Sequence, residues 1–294
     1  MNKHQALIES LVYDTAVRGC SEASEDSLLV LQDAIAHESS PKAKVVLQAM
    51  VDNVRIAREH KGAICQSPGY PTCWLSFGDE NMPLNVADTV RRAITDGTKN
   101  GILRPSLVDA ITRRGDGLNS GETIPNMEYE YHPGQKYVDF YISLKGCGAE
   151  WKNYFTVMSP AQFGENFSGL KRIILETALR AGGKPCTPFA MGIGLGGQMD
   201  VAAKLSRKGV STRKWNDENP DPTLAAWETE LKDQINALGI GAAGIGGDTC
   251  CLAVKIEKAE THTAILPVAI NFHCWLARRA GVRIYDDGRV EKLL

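Results

Sequence analysis

The texture of the chain changes once, near Gly62, and that change limits the folds open to it. Before it, apolar residues recur every three or four positions. Leu47, Met50, Val51, Val54 and Ala57 mark one face of a helix across Ser40–His60, and Ser24–His37 repeats the pattern. Ser40 is placed to cap that helix and Pro41 to open it. Residues 1–60 are therefore expected to form a helical N-terminal layer.

After Gly62, short apolar pieces are broken by Gly and Pro. Leu84–Gly97 and Leu107–Arg113 read as helices, and Met127–His132 and Lys136–Leu144 as strands joined in a hairpin at Pro133-Gly134. Gln162–Ala181 reads as a helix stopped by Gly182-Gly183. A strand, Phe189–Ile193, runs through Gly194–Gly197 into a helix at Asp200–Arg207. Asn216–Pro222 is expected to be an exposed connector before a helix at Leu224–Leu238, and two β-rich runs, Leu252–Glu257 and Ala264–Phe272, precede the tail. Helices and strands without strict alternation predict an α+β fold, with helical layers around a small mixed or antiparallel sheet. No linker is long enough to separate independent domains, so one domain over residues 1–294 is expected.

Composition removes several function classes. A formal charge of −2 leaves no electrostatic footprint for nucleic acid. No apolar run approaches the ~20 residues that span a bilayer. The opening MNKHQALIESLVYD lacks the apolar core of a secretory signal, so a cytoplasmic location is expected. There the eight cysteines, at 20, 65, 73, 147, 186, 250, 251 and 274, stay reduced and serve metal binding or burial. They are too widely spaced for a zinc knuckle or a ferredoxin-like run.

Gly192–Gly197, GIGLGG, matches G-x-G-x-x-G and follows a strand. A dinucleotide site also needs a second strand ending in an acid about 20 residues on. SRKGVSTRKWNDENP supplies acids without that strand, and no P-loop occurs, so these glycines are read as a tight turn. Cys65 lies in ICQSPG, Cys186 in GGKPCTPFAMGIGLGG and Cys274 in PVAINFHCWLARR, each beside a turn or a strand end. Spacing alone does not select these three from the eight.

Four segments, in order, resemble the signature stretches of the class I iron–sulfur fumarase and L(+)-tartrate dehydratase family, α-subunit type. They are Cys65-Gln66-Ser67-Pro68-Gly69, Lys145-Gly146-Cys147-Gly148, Pro185-Cys186-Thr187-Pro188, and His262 through Arg279. The resemblance covers nearly the whole chain. It implies a [4Fe–4S] cluster bound at loops and strand ends by Cys65, Cys186 and Cys274, with one iron left open. It further implies reversible hydration of a 2-hydroxy dicarboxylate of the fumarate/malate or tartrate/oxaloacetate kind. Gln66, Arg104, Gly146 and Gly148 match family contacts to substrate, and His262 matches a histidine that reaches the substrate carboxylate.

Two departures qualify what the resemblance implies. The family has Asp in C-Q-D-T-G where this chain has Ser67, and a serine hydroxyl cannot titrate in a carboxylate's place. Asp248, Glu150 and Asp79 stand as candidates for that acid–base work, alongside a changed substrate or a divergent, non-catalytic iron–sulfur protein. Trp151, where the family prefers Asn, could narrow the pocket. The chain also stops at Leu294, soon after Arg279, where single-chain fumarases continue. A separate β subunit, and hence a hetero-oligomer, is implied.

Overall fold

The computed structural model describes residues 4–79 and 82–294. Along the chain run α1 (Gln5–Ser21), α2 (Glu25–His37), α3 (Pro41–Glu59), β1 (Thr72–Phe77), α4 (Val86–Lys99), β2 (Asn126–Tyr131) and β3 (Tyr137–Ser143). The one-turn helix α5 (Cys147–Glu150), β4 (Tyr154–Met158), α6 (Pro160–Phe163), α7 (Ser168–Ala181), β5 (Phe189–Leu195) and α8 (Met199–Thr212) follow. The last elements are α9 (Pro222–Asn236), β6 (Cys251–Lys258), β7 (Leu266–His273), β8 (Arg279–Tyr285) and β9 (Val290–Lys292). Helices and two separate mixed sheets make the fold α+β, as expected. No helix among the described residues is long and apolar enough to cross a membrane.

The chain forms two compact units. Unit 1 is drawn from Met1–Glu25, Asn53–Gly146 and Leu276–Leu294, and unit 2 from Asp26–Asp52 and Cys147–Trp275.

Unit 1 holds a five-stranded sheet in the order β2-β1-β3-β8-β9, with β1 and β2 parallel and the other pairs antiparallel. Alternation in β3 sends Val138, Phe140 and Ile142 into the core, where α1 (Ile8, Val12, Ala16) and α4 (Val90, Ile94) cover them. Gly19 lets α1 lie close, since a Cβ there would stand 2.8 Å from Ile142 Cγ2. On the other face Arg283 forks onto Asp139 of the neighbouring strand at 2.7 and 2.8 Å.

Unit 2 holds the order β4-β7-β5-β6, with β5 and β6 parallel and joined by a crossover through α8 and α9. Every residue of β5 is buried, as a strand covered on both faces requires. Gly192 and Gly194 are the means on one face: a Cβ at either would run into the carbonyls of Ser206 or Ala202, so α8 packs with its backbone against the strand.

Several local expectations are corrected. β2 and β3 are not a hairpin, because β1 lies between them. Their connection passes over the end of β1, where a side chain at Gly78 would strike the Gln135 backbone and Asp79 accepts the Gly134 amide at 2.8 Å. Leu107–Arg113 is an irregular loop: Asn119 takes the amides of Ser106 and Leu107, and Asp109 those of Ile111 and Thr112. The helix expected from Gln162 breaks at Gly164, φ 72°, and resumes only at Ser168. Within Asn216–Pro222, Asn219 is buried and donates to Glu228 at 2.7 Å and to the Ile256 carbonyl at 2.9 Å. The tail supplies β8, a buried interior strand.

Candidate functional site

In unit 1 the pairs Thr72–Ser143 and Ser143–Arg279 put the start of β1, the end of β3 and the start of β8 at one end of the sheet. The segments leaving that end are Cys65–Gly69, Lys145–Gly146 and Arg278. Gly69 has φ +60°, and a Cβ there would fall on the Lys145 carbonyl, so the first two turns touch through backbone. Gly146 is close as well, its Cβ position 3.7 Å from Ser67 Oγ.

Cys65 is exposed. Its carbonyl accepts a hydrogen bond from Arg278 Nη1 at 3.1 Å, and the Ser67 carbonyl accepts from Arg278 Nη2. The carbonyl of Gln66, between them, accepts from the Arg104 amide at 2.9 Å, and Gln66 Nε2 donates to Gly101 at 3.0 Å. Arg104 is exposed, its Nε donating to Ser106 Oγ at 3.2 Å. Unit 1 thus gathers Cys65, Gln66, Ser67, Arg104 and Gly146.

Unit 2 repeats the device. The pairs Phe189–Cys251 and Ala190–His273 put the starts of β5 and β6 and the end of β7 at one end of its sheet. Cys186 precedes β5, exposed and with φ +61°, and its carbonyl accepts from the Trp275 amide at 3.4 Å. Cys274 directly follows β7 and is 7% exposed. A Cβ at Gly148 would lie 2.5 Å from the Lys184 carbonyl and 3.7 Å from Cys186 Sγ, so glycine is needed there. Cys186, Cys274 and Gly148 are brought together.

His262 is not brought to them. It lies in the turn from β6 to β7, at the opposite end of the same sheet, and the six residue steps of β5 amount to ~20 Å. There it is exposed, its Nδ1 accepting from the Ala264 amide at 3.1 Å. Asp79 is likewise at the far end of the sheet of unit 1, bound by the Tyr131 hydroxyl. Asp248 and Glu150 are at the cysteine end. Hydrogen bonds from Ser39 hold the Asp248 carboxyl below the usual carboxylate range, its amide 2.7 Å away. Glu150 accepts from Asn153 Nδ2 at 2.6 Å, and Trp151 is 76% exposed.

Burial divides the cysteines in a way spacing could not. Cys20, Cys73, Cys250 and Cys251 are buried, and burial pushes the Cys20 and Cys250 thiols up to about 12 and the other two well above the usual value. Buried thiols of this kind pack as small core hydrophobes. Cys65 and Cys186 are exposed at turns and Cys147 is exposed too, whereas Cys274, just after β7, is buried like those four. No preformed group of three His, Cys, Asp or Glu occurs among the described residues.

Arg278, missed in the sequence, adds to the fit. It is 1% exposed, its Nε has no hydrogen-bond partner, and it has no carboxylate partner among the described residues. A buried guanidinium without a counter-ion fits beside an anion, such as a thiolate-bound cluster. Its signal was the Arg278-Arg279 pair closing the last motif.

The model of a family described as fumarate hydratase (fumerase) matches residues 9–283. A Methanocaldococcus jannaschii protein provisionally named L(+)-tartrate dehydratase subunit alpha is 36% identical over 270 residues, 90% of this chain and 93% of that protein. The L(+)-tartrate dehydratase subunit alpha of Escherichia coli is 27% identical over 91% of this chain and 86% of its own. A Geobacillus stearothermophilus protein provisionally named fumarate hydratase class I is 30% identical over 95% of this chain, which spans only 55% of that longer relative. With the family match running through nearly all of both units, the chain belongs to the fumarate hydratase family.

Proposed function

We propose that this chain is the cluster-holding α subunit of a hydro-lyase that adds water to, or removes it from, a C4 dicarboxylate of the fumarate/malate or tartrate/oxaloacetate kind. Family membership makes it an enzyme of the carbon–oxygen hydro-lyase type. The observation that carries the finer reading is the exposure of Cys65 and Cys186 in the turns that resemble the family motifs, with the buried Cys274 at the same end of its sheet as Cys186. Cys65, Cys186 and Cys274 are proposed as the thiolate ligands of a [4Fe–4S] cluster within one 294-residue cluster-binding chain. When bound, that cluster supplies a Lewis-acidic iron for the substrate's carboxylate and 2-hydroxyl.

The chain's own residues hold the substrate. The exposed Arg104 guanidinium suits one carboxylate, and the Gln66 amide with the backbone at Gly146 and Gly148 suits its oxygens. Ser67 offers a hydroxyl hydrogen bond but no titrating proton near neutrality, so the acid–base group is another residue. Glu150, at the cysteine end, is proposed for it; Asp248 is held ionised by Ser39 and Asp79 is at the wrong end. His262 can take part only if it reaches the site from elsewhere than the β5 end of its own sheet. The name "subunit alpha" carried by relatives supports a separate β subunit and a hetero-oligomer, and the reducing cytoplasm suits exposed thiols.

Anaerobic co-purification with a candidate β subunit tests this. About 4 irons and matching sulfide per chain are expected, with water loss from one member of a 2-hydroxy dicarboxylate panel. Ser67 favours a second reading, a non-catalytic iron–sulfur protein. Iron and sulfide with no turnover of any panel member would select it, and zinc without sulfide would remove both.

A further inference from the structure

We propose that Arg278 is the positioning residue of the Cys65–Ser67 turn. Three consecutive carbonyls of that turn accept hydrogen bonds. Those of Cys65 and Ser67 are taken by the two Nη atoms of Arg278, and that of Gln66 by the Arg104 amide. The amides of Cys65, Gln66 and Ser67 donate to no group among the described residues. The turn therefore has its acceptors engaged and its donors uncommitted, which is the polarity that a bound anion requires.

Arg278 is itself fixed. Its carbonyl accepts from the Leu144 amide at 2.9 Å, one step beyond the Ser143–Arg279 pair, so the β3–β8 register sets where the guanidinium starts. A planar fork spans two carbonyls two residues apart; a lysine ammonium, a single point of charge, cannot grip both in that way. Tying down a turn does not by itself need a charge. Burying a guanidinium at 1% exposure, with no carboxylate partner and an unpaired Nε, is unfavourable unless negative charge stands nearby. Arg278 thus holds the backbone on both sides of Gln66, fixing the direction of the Cys65 thiol and the Gln66 amide. It comes four residues after Cys274 in the chain, so one short segment carries both a proposed ligand and the clamp on another.

The consequence for iron rests on Cys65 being a cluster ligand; the clamp itself does not. The test therefore reads both, on the full chain. In apo-protein, Arg278→Met should speed exchange of the Arg104 amide, which donates to the Gln66 carbonyl at the centre of the turn, by about tenfold, with peptides of β5 unchanged. In protein reconstituted anaerobically with iron and sulfide, the same change should lower iron per chain and speed cluster loss in air by about tenfold. Arg278→Lys should recover only part of each. If Arg278→Met does not accumulate as folded protein, Arg278→Lys carries the test: faster exchange of the Arg104 amide supports the clamp, and wild-type exchange overturns it. Exchange of the Arg104 amide unchanged in Arg278→Met also overturns it. If wild-type protein takes up no iron, the cluster reading fails, while the exchange comparison still decides the role of Arg278.

Discussion

The two ends of β5 look alike in sequence, since each is a turn rich in glycine or proline, and they differ in what their backbone is doing. At the far end, Gly196 and Gly197 take positive φ, and the preceding Gly192 and Gly194 make room for α8. Glycine meets those demands without strain. At the near end a positive φ of 61° falls instead on Cys186, although glycine would adopt it more easily. A side chain kept in a strained backbone position is expected where the side chain has work to do, here a thiol held at the mouth of a strand. Packing accounts for one end; the ligand role proposed for Cys186 accounts for the other.

The sharpest way to break that contrast is Cys186→Gly. It should relieve the left-handed strain and leave the apo-protein as stable as wild type, or up to ~1 kcal/mol more so. At the same time iron should fall from about 4 per chain to nearly none, because Cys186 is one of the three thiolates proposed to hold the cluster. Thermal melting of apo-protein and iron analysis of reconstituted protein read the two effects separately. Retained iron would remove Cys186 from the ligand set. Cys250→Ala should do the reverse, keeping iron while destabilising the fold by ~1–2 kcal/mol as a small buried thiol is lost.

At the other end the larger effect is on stability. Gly194→Ala places a methyl on the Ala202 carbonyl, so α8 must move away from β5. A loss of about 1–3 kcal/mol is expected, seen as a lower urea midpoint, with iron retained in whatever fraction stays folded. His262→Ala, beyond the same end, should change stability by no more than ~0.5 kcal/mol and leave iron content at the wild-type level. Its effect on turnover is diagnostic. With ~20 Å of strand between His262 and Cys186, a fall in kcat without loss of iron would mean that the histidine reaches the site from a second copy of the chain.

How much of this was legible beforehand depended on whether the signal was local. The helices of residues 25–59 and the strands β5, β6 and β7 follow from periodicity and turn residues close in sequence. The separation of β2 from β3 did not, because Pro133-Gly134 marks a turn without showing that β1 enters between the strands. The tail strand β8 was missed since its pattern is short and its partner β3 lies well over 100 residues earlier. In the site, the motif cysteines were named through the family resemblance, yet the exposure of Cys65 and Cys186, and the burial of Cys274 with Cys20, Cys73, Cys250 and Cys251, depends on long-range packing. Arg278 was hidden for the same reason: its hydrogen bonds reach residues 211 and 213 positions away.

The smallest expected effect concerns how the cysteine end is tied, since there side-chain carboxylates do what glycine does at the other end. Glu38 accepts the amides of Asp248 at 2.9 Å and Thr249 at 3.1 Å, and Asp248 returns a bond by accepting from the Ser39 amide at 2.7 Å. The Ser39 hydrogen bonds favour the ionised form of Asp248 and keep its folded pKa below the ordinary value near 3.8. Between those two values the unfolded chain binds more protons than the native one, so stability rises with pH across that window. The contribution is whole above the unfolded pKa and is lost as pH falls through the folded one. Asp248→Asn removes that titration. The wild-type advantage in Tm should therefore be largest near pH 5 and should shrink as pH drops below ~4. The measurement belongs on apo-protein, because thiolate ligation of a cluster is itself lost in acid. Parallel Tm curves for wild type and Asp248→Asn would show that this carboxylate does not help to hold the turn before Cys250.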